Sequence, residues 1–464
     1  MTENAARRPY QLRGKDKIIS SPSCGLFFSM GLGKTLSTLD AIHELMWNYL
    51  SVRKVLVIAP KRVARIAWPQ QIKEWYPDLK YSVIYDDKER DLAKYAEIYL
   101  LSYSTLPWLY RKMIKDPNSV PKFDMVVYDE SKFLKNQGSQ RWELCNAMFA
   151  NVKRKVILSG KPAPNGLLDM WSQIYLLDNG ERLFRSYEAF RSCKFIPAGE
   201  GIYKRYEPMQ GTREWIAKQI SDIIITIKDD ESVKLPALIQ NTVKCELDDW
   251  DQKSYDKFER DHLISIGDLD IICNNPASSL AKLRQFAQGF MYGAPKELTK
   301  GRDTMTIHVK KLEALGEIID GSVGMNMIVA VQFIEDVIKI KEWFHNPPAI
   351  YSGTTDKQSD KYIADWNAGK IPLLIVHPAS VSHGLNIQSG GNVIVWFGIP
   401  WDLDHYDQLL ARLVRPGQIF NVIEHIICMT NTIDEVILKS LAKKDKTQNS
   451  LIDELVKYIE EKIS

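Results

Sequence analysis

No Cys-x-x-Cys pair occurs among the six cysteines, Cys24, Cys145, Cys193, Cys245, Cys273 and Cys428, so the sequence offers neither a zinc ribbon nor a disulfide framework. A reducing compartment fits that usage. No hydrophobic run is long and uncharged enough to span a bilayer, and the opening Met-Thr-Glu-Asn-Ala-Ala-Arg-Arg lacks an apolar core. A soluble, intracellular protein with no membrane partner is therefore expected. Low-complexity segments are absent, and so is a strong excess of either charge: the net is +3 over 464 residues. Contact with nucleic acid, if made, must come from local patches. With 45% hydrophobic and 26% charged residues the chain is an ordinary globular one, of a length that suggests about two to three domains.

What is present begins at Gly31-Leu32-Gly33-Lys34-Thr35, the glycine, lysine and hydroxyl order of a phosphate-binding loop. Glycines let backbone N–H groups turn onto phosphate oxygens, Lys34 brings a point charge to the outer phosphates, and the Thr35 hydroxyl suits Mg2+. The full eight-residue pattern wants a further glycine where this chain has Phe28. Upstream, the amide of Gln11 complements an adenine edge and favours ATP over GTP.

Downstream, Ser37 to Tyr49 has apolar residues at helical spacing, and 54–60 is an apolar run of strand length. Similar runs recur at 98–102, 125–128 and 156–158. Runs apolar throughout belong to parallel strands covered by helices on both faces, which predicts an α/β, doubly wound sheet. Asp129-Glu130 follows one such strand and so is expected at the carboxyl edge, beside the phosphate loop. There Asp129 would hold Mg2+ and Glu130 would orient the attacking water.

A helical, aromatic-rich insertion is expected at about 165–223, and the break at Lys234-Leu235-Pro236 divides the chain into 1–235 and 236–464. In the second part a charged, mostly helical insertion at about 248–289 precedes buried strands at 327–331, 373–376 and 393–397. That half has no phosphate loop of its own, so it is expected to close over the nucleotide of the first. The tail, 451–463, reads as an amphipathic helix.

The order of motifs resembles helicase superfamily 2, and most closely its SWI/SNF-type ATPases. Arg8-Pro9-Tyr10-Gln11 resembles the adenine-recognition motif, Met30 to Thr35 motif I, and Ala59-Pro60-Lys61, with Trp68 and Glu74-Trp75 downstream, motif Ia and its neighbour. Asp129-Glu130 with Leu134-Lys135-Asn136 resembles motif II, and Ser159 to Asn165 motif III. Tyr351 to Thr354, Gly384 to Ile387 and Gln408 to Gln418 complete the series.

The resemblance implies two tandem RecA-like lobes with helical insertions, with ATP and Mg2+ as cofactors. Lys34, Asp129, Glu130, Arg412 and Arg415 would be catalytic; Gln11, Met30, Gly31, Leu32, Gly33, Lys34, Thr35, Gly384 and Asn386 would bind nucleotide, and Thr35 and Asp129 the metal. Arg412 and Arg415, about one helical turn apart, are expected on one helix face, where they would reach the γ-phosphate. Lys61, Arg62, Ser102, Thr354 and Ser380 would grip a nucleic-acid backbone without reading bases. Ser131-Lys132, Ser159, Lys161 and His383 depart from the usual residues at their positions, which touches the coupling of hydrolysis to movement more than hydrolysis itself.

The implied function is an ATP-dependent translocase on double-stranded DNA that remodels DNA structures or displaces bound protein. The alternatives are a strand-separating helicase and, in another class, a nucleotide-gated DNA-binding scaffold with little turnover. The expected location is the cytoplasm, bacterial or viral-host.

Overall fold

The computed structural model describes residues 7–29, 31–198, 205–227, 236–261, 263–266, 269–272, 276–295, 302–381, 387–415 and 418–442. Met30, His383, Gly384, Asn386 and the tail 451–463 lie outside them. The described residues form two compact units, one up to residue 227 and the other from 236 to 442.

In the first unit seven strands form one sheet: β1 Ser23–Phe28, β2 Val55–Ala59, β3 Tyr81–Ile84, β4 Ile98–Ser102, β5 Met125–Asp129, β6 Arg154–Leu158 and β7 Ile224–Ile227. Their order is β3-β4-β2-β5-β6-β1-β7, and every pairing is parallel. The strands β2, β4 and β5 are buried along their whole length, as apolar runs covered on both faces require. Because all seven run the same way, the segments leaving β1, β2, β4, β5 and β6 open on one edge. That edge receives the phosphate loop, Lys61, Ser102, Asp129-Glu130 and Ser159.

The stretch expected as a helical insertion contains helices Asp169–Asp178, Tyr187–Lys194 and Thr212–Ile220. It also carries an antiparallel pair, Phe195–Ala198 with Arg205–Pro208, that helical periodicity does not reveal. Trp171, Phe190 and Phe195 are buried in the core of the unit.

The second unit has six parallel strands: β8 Leu238–Cys245, β9 Met327–Ala330, β10 Ala349–Ile350, β11 Leu373–Val376, β12 Val393–Trp396 and β13 Val422–Met429. Their order is β8-β13-β12-β9-β11-β10. Between β8 and β9, helices Asp249–Asp261 and Pro276–Ala287 flank an antiparallel pair, Leu263–Ile266 with Leu269–Ile272. A buried polar frame ties this region to the sheet. The ammonium of Lys311 lies 2.6 Å from the Asp434 carboxylate and donates to Gln288 Oε1 at 2.5 Å, while Gln288 Nε2 donates to Asp336 at 3.3 Å.

One local expectation is corrected. The helix Leu403–Leu410 ends before the arginines, and Arg412 and Arg415 sit in the tight turns that follow, where Arg412 N donates to Leu409 O and Arg415 N to Leu413 O. They do not share a face of one continuous helix.

Candidate nucleotide-hydrolysis site

The phosphate loop lies between β1 and helix Lys34–Trp47. Gly31 and Gly33 have φ of 83° and 77°, in the left-handed region where a side chain is strained. At Gly33 a Cβ would also come within 2.4 Å of Gln11 Nε2, so the absence of a side chain lets the helix bearing Gln11 reach the loop. Gln11 Oε1 accepts from the backbone N–H of Arg8 at 3.0 Å. The helix that carries it, Pro9–Ser20, is fastened to helix Lys34–Trp47 by Lys15 on Glu44 at 2.9 Å. Just ahead of it, Arg7 makes two bonds to Asp40, at 2.8 and 3.0 Å, and lies over the Trp75 ring.

Lys34 Nζ donates to the carbonyls of Phe28 at 2.9 Å and Ser29 at 3.4 Å, which folds the side chain back across the loop. Leu32 is buried, and Thr35 stands in the first turn of the helix. Left-handed glycines, a lysine and a helix N-terminus in one place fit a polyphosphate.

Asp129 ends β5 and is buried. Its Oδ2 accepts from Trp68 Nε1 at 2.8 Å, its Oδ1 from the Glu130 N–H at 2.9 Å, and its carbonyl from the Tyr103 hydroxyl at 2.9 Å. Burial and the neighbouring Glu130 charge push the Asp129 carboxyl upward, against the pull of Trp68 and Lys34. A buried carboxylate held above its usual range is the kind of group that a divalent cation relieves, so Asp129 fits the metal-holding part.

Glu130 has φ 53°. After it the chain makes a 3-10 turn, Ser131–Leu134, that directs two side chains to separate partners. Ser131 Oγ donates to Gln173 Oε1 at 2.7 Å, and Gln173 Nε2 donates in turn to the carbonyls of Pro162 at 2.6 Å and Asp169 at 2.9 Å. Lys132 turns back to Glu130, its ammonium 3.3 Å from Oε2.

On the same edge Lys61 and Arg65 lie against the ring of Tyr85, at 5.2 and 4.0 Å from its centroid. Arg62 immediately precedes a π-helical turn, Val63–Ala67, that leads into Trp68. Ser102 is buried and shares its hydroxyl with Ser104 and Thr105, both at 2.8 Å, so the exposed hydroxyl of this turn belongs to Ser104. In the second unit Thr354 Oγ1 donates to Ala349 O at 2.9 Å and accepts from Tyr351 N, and Ser380 lies in the short helix Pro378–Val381. Arg415 is largely buried, which lowers its pKa, and its Nε has no hydrogen-bond partner among the described residues.

The structure thus gathers Gln11, Gly31, Gly33, Lys34, Thr35, Asp129 and Glu130 within the first unit. Sequence reasoning missed the parts played by Trp68, Tyr103, Lys132 and Gln173. Trp68 stood out only as a motif neighbour and Lys132 only as a departure from the usual residue, and Tyr103 and Gln173 were not singled out at all.

Two parallel-sheet lobes, the first with a phosphate loop and an acidic pair, define an ATP-binding ATPase of helicase superfamily 2. The SNF2-related domain matches residues 13–289 and the helicase conserved C-terminal domain residues 310–417. The chain belongs to the SNF2-related family. It is similar to the phage protein p41 of Acyrthosiphon pisum secondary endosymbiont phage 1, with 30% identity across 96% of this chain and 98% of that one. A RAD54-like DNA repair and recombination protein of Gallus gallus is 23% identical, across 96% of this chain and 68% of that protein. Among solved structures, the Sulfolobus solfataricus SWI2/SNF2 ATPase core in complex with dsDNA is 24% identical, with a TM-score of 0.45 and coverage of 97% and 93%. Among the described residues no helix is long and apolar enough to cross a membrane.

Proposed function

We propose that this protein is a DNA-dependent ATPase that moves along double-stranded DNA, remodelling DNA structures or displacing bound protein. The observation that carries the reading is the hydrogen-bonded Asp129-Glu130 pair on the same sheet edge as the Gly31–Thr35 loop, with the Lys34 charge acting on Asp129. The family, and the repair and recombination role in the name of the RAD54-like relative, support DNA as the track.

Loop N–H groups and Lys34 bind the phosphates of ATP, and Gln11 selects the adenine. Thr35 and Asp129 would hold Mg2+, which as a Lewis acid draws charge from the transferred phosphoryl group. Glu130 orients a water for in-line attack and takes up its proton. Arg412 and Arg415 are the arginines we assign to neutralising charge on the γ-phosphate, an effect worth roughly 10³ to 10⁵ in rate in related phosphoryl transfers.

Lys61, Arg62 and the Ser102 turn of the first unit, with Thr354 and Ser380 of the second, hold DNA phosphates without reading sequence. Arg65, which flanks Tyr85 with Lys61, belongs to the same basic face.

ATP hydrolysis measured with single-stranded, duplex, forked and RNA effectors, alongside triplex and strand displacement, tests the reading. Duplex DNA should stimulate best and triplex displacement should follow. Unwinding of plain duplex without triplex displacement would instead support a strand-separating helicase, and DNA binding with no turnover a nucleotide-gated scaffold.

A further inference from the structure

Two carboxylates side by side in a poorly solvated turn repel each other, so each needs its own partner. Asp129 has the Trp68 indole and the Glu130 N–H. At Glu130 the structure brings up a lysine two residues later. Lys132 is only 4% exposed and Glu130 15%, and their charged groups stand 3.3 Å apart.

Nothing in a lysine's own preference places it there, because taking an ammonium out of water is strongly unfavourable unless it is paired. The backbone makes the pairing specific. The left-handed Glu130 and the 3-10 turn Ser131–Leu134 reverse the chain, with Phe133 N donating to Glu130 O at 3.0 Å. Ser131 is meanwhile locked to Gln173 at 2.7 Å, so the turn is anchored from outside and the lysine returns toward the carboxylate from a fixed base.

We propose that Lys132 is a positioning residue for hydrolysis, its buried ammonium holding the Glu130 carboxylate in the attitude from which it directs the attacking water. This rests on the role given to Glu130 above. In this role Lys132 acts through Glu130 and is not itself a reacting group.

The test combines turnover with a thermal cycle on the ligand-free protein. Lys132→Met keeps the side-chain length and removes the charge. It should lower kcat for DNA-stimulated hydrolysis about 10- to 100-fold with KM for ATP changed less than about 2-fold, because the loss falls on the step and not on binding. Lys132→Arg should recover most of kcat. In a Glu130→Gln background Lys132→Met should cost no further turnover beyond about 2-fold, since the two residues act as a unit.

Without any ligand, Lys132→Met should lower Tm by roughly 5 °C, and adding Glu130→Gln should restore much of it, because the uncompensated buried charge is then gone. Wild-type kcat in Lys132→Met, or Tm shifts that simply add in the double variant, would overturn the proposal. A wild-type chain with no turnover at all would sink the ATPase reading and this inference together, whereas wild-type turnover retained by Lys132→Met sinks the inference alone.

Discussion

The indole of Trp68 donates to the carboxylate of Asp129 at 2.8 Å, joining the segment after β2 to the end of β5 across 61 positions of sequence. Trp68 is fully buried, and Asp129 nearly so. Hydrogen bonds to a buried charge contribute more than neutral ones, and losing the donor leaves the acceptor unsatisfied at roughly 1–3 kcal/mol. Trp68→Phe should keep the packing and remove that donor. The expected outcome is a stability loss of about 2 kcal/mol in denaturant titration and a Mg2+ titration of ATP hydrolysis shifted to higher concentration, as Asp129 loses its fixed orientation. Unchanged stability and an unchanged Mg2+ titration would remove Trp68 from the site.

Gln173 is fully buried with both ends of its amide engaged, accepting from Ser131 and donating to Pro162 and Asp169. It therefore links the turn after Glu130 to the Ser159–Asn165 segment. Gln173→Leu preserves volume but strands three polar partners. It should destabilise the protein by about 2–4 kcal/mol, within what unmade buried hydrogen bonds produce, and uncouple DNA stimulation from basal hydrolysis. Measuring the stimulation factor for the variant checks this, and an unchanged factor counts against the link.

His308 provides a pH test independent of the nucleotide. Its Nε2 lies 2.9 Å from Phe286 O, its Nδ1 has no hydrogen-bond partner among the described residues, and burial pushes its pKa down to about 4. The unfolded chain, with an ordinary histidine, binds more protons than the native one between about pH 6.5 and 4. This group's contribution is therefore full above that range and is lost as pH falls through it, by up to about 3 kcal/mol. Asp336, pushed up to about 6 by burial, opposes it in the same range. The comparison is thus wild type against His308→Gln, whose amide can still donate to Phe286 O. Between pH 7.5 and 5 the wild type should lose more stability than the variant; equal losses would contradict the assignment.

The sequence made the strands of the sheet centres legible because central parallel strands must be apolar on both faces. It hid those at the margins. β8, Leu-Ile-Gln-Asn-Thr-Val-Lys-Cys, is an edge strand whose side chains are largely exposed, so its run is mixed. β13 is interrupted by Glu424 and His425, which read as surface residues. Yet Glu424 is fully buried, accepting from Trp396 Nε1 at 2.7 Å, the Tyr406 hydroxyl at 2.6 Å and Gln240 Nε2 at 2.6 Å. Donors from three distant positions cannot be read from local pattern.

The site divides the same way. Gly31, Gly33, Lys34, Asp129 and Glu130 are contiguous or follow strands, and their pattern carries their chemistry. Trp68, Gln173 and Lys132 act through contacts that only the folded chain creates. At Arg412 and Arg415 the helical spacing was misleading, because the helix ends at Leu410.

The most direct test of the central reading is steady-state phosphate release with and without duplex DNA, for wild type and Glu130→Gln. Duplex-stimulated release by wild type, lost by about 10²-fold or more in the variant while ATP still binds, is the expected result. Equal and negligible release by both proteins, with DNA binding intact, would contradict it.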